Sequence, residues 1–181
     1  MQVLFSFTKV LGHAAREGKS LAESRTWLIR LFLTSHTIGF WALSGATVPE
    51  VGKPGFVLAE DEIEYGIGIH GEPGYRKESM QPSRQLAEEL TGKLLEAFEA
   101  KAGERYALLI NGMGATPLME QYVFANDVAS ILGDAGLDVA FKKLGNYMTS
   151  IDMAGLSLTL MKIEDDAWLE ALESPVKTIA W

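Results

Sequence analysis

Glu64-Tyr-Gly-Ile-Gly-Ile-His-Gly-Glu-Pro-Gly74 carries the chemistry that this sequence has to offer. It reads as a short strand running straight into a glycine-rich turn, with His70 at the junction. Residues two apart share a face of an extended strand. Tyr65, Ile67 and Ile69 therefore point into a core, while Gly66, Gly68 and His70 point the other way. The two glycines leave a bare trough beside the imidazole, which lets a ligand or another backbone come close. Gly71, Pro73 and Gly74 stop the strand and set a turn. A neutral imidazole, with an unperturbed pKa of about 6.5, can add through a ring nitrogen to an electrophilic carbonyl. Taken alone, a single histidine at a strand end fits a structural role better than a catalytic one; the glycine trough shifts that balance towards chemistry.

Other chemistries find less support. There are 3 histidines and no cysteines, which removes disulfides, thiolate metal sites and cysteine nucleophiles. His13 falls on the polar side of a first helix and His36 at a helix-to-strand junction, so both read as solvated or structural. No HExxH spacing and no GxSxG elbow occurs, so zinc and serine-triad chemistry are not expected. The acidic run Ala59 to Glu64 reads as a solvated approach to the strand rather than a magnesium site, which needs converging oxygens. Asn111 to Pro117 places a glycine loop between a strand and a helix, an arrangement that can cradle an anion. It matches neither a Walker sequence nor GxGxxG, and a tight turn packed on the sheet is the preferred reading.

The elements that must position His70 follow from periodicity. Val3, Leu4, Phe7, Val10, Leu11 and Ala14 recur at helical spacing, with Gly18 as a stop. Ser20 and Glu23 make a capping box for a second helix, whose apolar face is Leu21, Leu28, Leu31 and Phe32. Thr37 to Leu43 reads as a strand, Gly45 to Pro54 as a loop and Phe56 to Leu58 as a short extended stretch. Pro82-Ser83 opens a helix with Leu86, Leu90, Leu94, Ala97 and Phe98 on one face. Tyr106 to Ile110 suits a buried strand. Thr116 as N-cap and Pro117 as first residue start a helix through Leu118, Tyr122, Ala125, Ala129 and Leu132. Leu137 to Leu144 and Leu156 to Ile163 read as strands, the second half-buried because Ser157 and Thr159 alternate with leucines. Asp152 between them suits an Asx-type turn. Asp165 or Asp166 caps a last short helix through Leu172.

At 181 residues and 48% apolar content, the chain can bury one good core. Its net charge of −8 argues against nucleic acid and against an anionic membrane surface. Trp27 to Leu43 is strongly apolar, but Arg30 and His36 interrupt it. A membrane span needs about 20 residues with few or no charges, so a buried helix followed by a strand is the preferred reading. Met1 to Phe7 lacks the basic region and cleavage site of a signal peptide. A cytoplasmic location is the expectation.

Ile69-His70-Gly71-Glu72-Pro73-Gly74, preceded by Ala46-Thr47-Val48-Pro49 and Gly52-Lys53-Pro54, resembles the substrate-binding (K) subunit family of dihydroxyacetone kinases. Gly114-Ala115-Thr116-Pro117 and Thr149-Ser150-Ile151-Asp152-Met153-Ala154-Gly155 continue the resemblance in the same order, over roughly Lys9 to Trp181. It implies that His70 holds dihydroxyacetone as a covalent hemiaminal, with Gly68, Gly71 and Glu72 of the same motif as its substrate-binding neighbours. It also implies a phosphotransferase module of glycerol metabolism, as in the phosphotransferase system. In such a module the chain itself binds no cofactor, and ATP or ADP with magnesium sits on a separate nucleotide-binding kinase subunit or domain. A second copy of the chain, as a homodimer, is a further implied partner. The family carries a preceding domain with a GGGSGHEP-type motif, absent here, so residues 1–35 are expected to be a two-helix remnant of it. Residues 36–181 would then be the second domain. The expected fold is α/β (α+β): a mixed β-sheet with packed helices in two layers, preceded by two helices. Related proteins act as ketone-sensing coactivators of a transcription factor, and a truncated subunit without activity is the remaining alternative.

Overall fold

Apolar runs bounded by glycine, proline and capping residues make each element, and their pairing makes one mixed sheet. The computed structural model describes residues 3–42, 47–54, 56–66, 73–178 and 181, the side chains of 41, 42, 47 and 48 excepted. Helices α1 (Val3–Arg16) and α2 (Leu21–Leu33) lead into β1 (Ser35–Ala42). The short strands β2 (Thr47–Val48) and β3 (Lys53–Pro54) pair with each other, and β4 (Glu62–Tyr65) and β5 (Arg76–Ser79) form a hairpin. Then follow α3 (Ser83–Phe98), β6 (Arg105–Gly112), α4 (Leu118–Asp134), β7 (Asp138–Gly145), β8 (Gly155–Lys162) and α5 (Asp166–Glu173). The large sheet runs β5-β4-β1-β8-β6-β7, with β6 and β7 parallel and every other pair antiparallel.

Both faces of this sheet are covered. Leu86, Leu90 and Leu94 of α3 and Phe124, Val128 and Leu132 of α4 close over Phe40, Ile110, Leu158 and Leu160. On the other face Phe7 and Val10 of α1, Leu31 of α2 and Trp168 and Leu172 of α5 meet Ala107, Met161 and Ile163. β8 is therefore buried on both sides. Ser157 and Thr159 were expected at a half-exposed face, yet they are 3% and 1% exposed. Small hydroxyls tolerate this when bonded, and Thr159 shares a hydrogen bond of 2.7 Å with Thr37 on the neighbouring strand.

The capping box of α2 forms as expected: the Ser20 hydroxyl accepts from the Glu23 N–H, and Glu23 accepts from the Ser20 N–H. Its apolar face does not close, however. Only Leu31 is buried, while Leu21 and Phe32 are 88% and 69% exposed. Besides Leu31, α2 is held by Trp27, whose ring meets Trp168 edge-on, and by Arg30, whose guanidinium lies 4.7 Å from the Trp168 ring centroid and pairs with Glu164 and Asp165. In α4 the buried stripe is Gln121, Phe124, Val128 and Leu132, not the expected Leu118, Tyr122, Ala125, Ala129 and Leu132. Leu118 and Tyr122 face outward. The helix is apolar on two adjacent stripes, so periodicity alone could not choose between them. Gln121 decides the matter, because its amide donates to the Thr116 carbonyl and to Asn146 Oδ1.

At the far end of β6, Glu104 gathers donors: Lys162 Nζ at 2.5 Å, the Tyr106 hydroxyl at 2.9 Å and the Lys101 N–H at 3.1 Å. The ammonium of Lys162, above all, holds the Glu104 carboxyl down at about 2. A carboxylate depressed in the folded state stabilises the fold above its ordinary pKa and loses that contribution as pH falls towards the folded value. Urea unfolding should therefore find Glu104→Gln less stable than the wild type near neutrality. The difference should shrink as pH drops from about 4.5 to about 2.

Candidate functional site

β4 and β5 carry the turn that contains His70, and their described ends show how it is held. The last register pair is Tyr65 with Arg76. Beyond it the Tyr75 N–H donates to the Tyr65 carbonyl at 2.9 Å, and the Gly66 N–H donates to the Gly39 carbonyl of β1 at 2.8 Å. Glu64, only 7% exposed, turns its carboxylate back to accept the Gly74 N–H at 2.7 Å. Lys77 Nζ stands 3.5 Å from the other oxygen of the same carboxylate. The two feet of the turn are thus tied to each other and to the sheet.

The glycines at the feet have steric reasons. A Cβ on Gly74 would lie 2.1 Å from the Tyr65 carbonyl oxygen. Gly66 has φ +77°, and the Tyr75 ring lies 2.8 Å from where its Cβ would be. Both positions need glycine. Outside the feet stands a polar cluster. The Tyr65 hydroxyl donates to Glu78 at 2.7 Å, Arg76 pairs with Glu78 and Glu89, and Arg76 also lies 4.7 Å from the Tyr65 ring centroid. Burial first, then the Glu78 carboxylate, pushes the Tyr65 hydroxyl well above the usual phenol range. Burial, with Glu89 next, raises the Tyr75 hydroxyl to about 12. Neither phenol is a base near neutrality; both are rigid supports.

Ile67, Gly68, Ile69, His70, Gly71 and Glu72 lie outside the described residues. So do Ala46 of the first motif and the last residue of the strand expected to end at Leu43. Glu64 was read in the sequence as one of a solvated acidic run. Glu60 and Asp61 are indeed exposed, but Glu64 is buried in the work of fixing the turn. Its place two residues before Gly66 on the strand, with Tyr65 pointing to the core, was the available signal.

The later motifs also come together. Gly114 bridges to Met153, the Ala115 N–H donates to the Met153 carbonyl at 3.0 Å, and the Ser150 N–H donates to the Met113 carbonyl at 2.8 Å. Thr116 was expected as the N-cap of α4. The N-cap is instead Pro117, and the Thr116 hydroxyl turns away to accept the Gly155 N–H and donate to the Gly155 carbonyl, both at 2.8 Å. The hydroxyl thus serves the buried start of β8 rather than the helix. With these groups engaged, the loop is a packed turn. A cavity of about 550 Å³ opens beside it, with Phe40, Leu86, Thr116, Pro117, Phe124 and Leu156 in its walls.

Through β1 the two regions are in register, since Glu64 of β4 and Gly155 of β8 both stand opposite Trp41. Ile63 lies opposite Ala42, near the Gly155 end of β1, whereas Tyr65 lies opposite Phe40 and Gly66 bonds to Gly39. Of the other histidines, His36 packs 4.5 Å from the Phe98 ring centroid and His13 accepts from Arg16 at 3.0 Å. Among the described residues no three histidine or acidic side chains gather as a metal site would require, and no helix is long and apolar enough to cross a membrane.

Residues 3–180 match the Dak1 domain family. The chain is 60% identical over 173 residues to the dihydroxyacetone-binding subunit DhaK of the PTS-dependent dihydroxyacetone kinase of Lactococcus lactis, covering 96% of this chain and 52% of that protein. It is 46% identical to the DhaKLM operon coactivator DhaQ of the same organism, covering 96% of this chain and 53% of that protein. Among solved structures, the co-activator Dha-DhaQ superposes with a TM-score of 0.87 at 44% identity, over 94% of this chain and 53% of the other. The dihydroxyacetone kinase of C. freundii superposes with a TM-score of 0.85 at 28% identity, over 99% of this chain and 32% of the other. The chain thus spans about half the length of the curated relatives it matches. On the extent of the match and the agreement of fold, this chain belongs to the Dak1 domain family.

Proposed function

We propose that the chain is a dihydroxyacetone-binding module of a dihydroxyacetone phosphotransferase and that His70 holds the ketone covalently. The observation that carries this reading is the 60% identity to a dihydroxyacetone-binding subunit across 96% of the chain, with the Ile69 to Gly74 motif inside the matched length. A ring nitrogen of neutral His70 attacks the carbonyl carbon of dihydroxyacetone. A carbon–nitrogen bond forms as the carbonyl π-bond opens, and the new alkoxide takes a proton while the other ring nitrogen gives one up. Nothing is expelled, so the adduct weighs the sum of its parts. Glycerol, which has no carbonyl, is refused by the chemistry rather than by shape.

Within this reading Gly68, Gly71 and Glu72 line the bound ketone, and Glu64 keeps the turn at the height the imidazole needs. The phosphoryl donor, a nucleotide with magnesium, belongs to a partner subunit, and a second copy of the chain completes a homo-oligomer. The likeness to DhaQ supports one alternative, a ketone-sensing coactivator in which the same capture has no phosphoryl transfer after it.

Native mass spectrometry with dihydroxyacetone should show a gain of one ketone per chain, absent in His70→Ala. Equal capture by wild type and His70→Ala would remove the histidine from the mechanism. Glu64→Gln keeps the size of the side chain but weakens its bond to the Gly74 N–H. It should keep the fold and lower the captured fraction, about tenfold if one charge-assisted hydrogen bond is lost. Unaltered capture would make Glu64 a structural residue only. The purified chain, given ATP, magnesium and dihydroxyacetone, should form no phosphorylated product; a coupled assay of ADP release measures this. Transfer that appears when a nucleotide-bearing kinase subunit is added supports the kinase module, and capture without transfer supports the coactivator.

A further inference from the structure

Lys9 is a cation in the wrong kind of place. It sits midway along α1 with 8% of its surface exposed, and among the described residues its ammonium donates to neutral oxygens, the carbonyl and the hydroxyl of Ser174. Burial first, then the positive charges of Arg16 and Lys143, lowers its pKa. Arg16 donates to the Pro175 carbonyl at 3.3 Å and to His13 Nδ1 at 3.0 Å. Lys143 stands 4.3 Å from the Trp181 ring centroid, and Lys9 5.8 Å from the same ring. Among the described residues no carboxylate pairs with Lys9, Arg16 or Lys143.

Lys9 is buried beside two further cations, Arg16 exposed and Lys143 half-buried, and a buried charge is costly unless something of opposite sign offsets it. The chain carries a net charge of −8, so acidic side chains are plentiful, yet among the described residues none forms an ion pair with these cations. The Trp181 ring offsets part of the cost through its π-face and is itself stacked on Phe141 at 6.1 Å. Donors remain over. An ammonium has three and Lys9 uses two; a guanidinium has five and Arg16 uses two. Beside them opens a cavity of about 430 Å³, a volume suited to a small molecule. Phe5, Val176 and Trp181 give it apolar walls, Lys9, His13 and Arg16 give it a basic rim, and among the described residues no Asp or Glu side chain lines it.

We propose that this cavity, between α1 and the segment that follows α5, is a second binding site, distinct from the turn that carries His70. Its ligand is a small organic oxyanion with an apolar body, of which an aromatic carboxylate is the simplest form. The guanidinium fork of Arg16 matches two carboxylate oxygens, Lys9 adds a third donor, and the body lies against Trp181 and Phe5. The site is independent of ketone capture, since none of its residues touches β4 or β5.

Isothermal titration calorimetry of the full chain with benzoate, with benzamide as its neutral counterpart, tests this. Benzoate should bind and quench tryptophan fluorescence, and its affinity should fall as salt is raised. Benzamide should bind about tenfold or more weakly. Arg16→Met should weaken benzoate by a similar factor with its melting temperature unchanged, and Arg16→Lys, which keeps the charge without the fork, should fall between. Absence of benzoate binding, equal binding of benzamide, or unchanged benzoate affinity in Arg16→Met would each overturn the proposal. Capture of dihydroxyacetone by Arg16→Met should match the wild type.

Discussion

The double burial of β8 is the constraint from which the rest of this structure is measured. β8 is hydrogen-bonded along its length to β1 on one side and β6 on the other, and helices cover both its faces. A strand so enclosed cannot slip by one residue without turning every buried side chain to the wrong face. Its register sets Gly155 against Trp41, which sets Phe40 against Tyr65 in the next strand, which in turn places Gly66 at Gly39. The Thr116 hydroxyl, bonded to both the N–H and the carbonyl of Gly155, pins the start of β8. The height at which the hairpin leaves the sheet is therefore inherited, pair by pair, from β8. Glu64 adds the last fastening, from strand to turn, within the hairpin itself.

How much of this could be read in the sequence varied with what kind of signal each residue carried. Elements with one apolar stripe and clear stops, such as α3 with Leu86, Leu90 and Leu94, were legible from spacing alone. The capping box of Ser20 and Glu23 was legible for the same reason: it is a local pattern with a local partner. α4 was misread because it has two candidate stripes, and the choice rests on a tertiary bond from Gln121 to Asn146. Thr116 was misread because a hydroxyl before a helix suits a cap, and only the nearby start of β8 outbids it. Ser157 and Thr159 looked half-exposed because alternation cannot distinguish a solvated face from a second buried one.

The candidate site was legible in part, and for physical reasons. Gly66 was read as part of a bare trough, yet the Tyr75 ring takes the space beside it, while Gly74, read as a turn residue, stands where a Cβ would meet the Tyr65 carbonyl. The imidazole and its immediate neighbours lie outside the described residues, so the link from His70 to chemistry rests on the motif and on the relatives. Lys9 was not legible, because nothing in a single sequence marks a charged residue as buried, and Glu64 was marked only by its place on the strand before Gly66. α2 raises a different matter. Leu21, Phe32 and Leu33 leave apolar area open together on one helix, more than isolated surface residues would.

The central claim is that a ring nitrogen of His70 bonds to the carbonyl carbon of dihydroxyacetone. Labelling histidine with ¹⁵N and the ketone with ¹³C at its carbonyl carbon makes that bond directly observable by NMR. A one-bond carbon–nitrogen coupling on the protein-bound ketone, absent in His70→Ala, is the predicted result. A ketone that binds the wild-type chain but shows no such coupling would contradict the account.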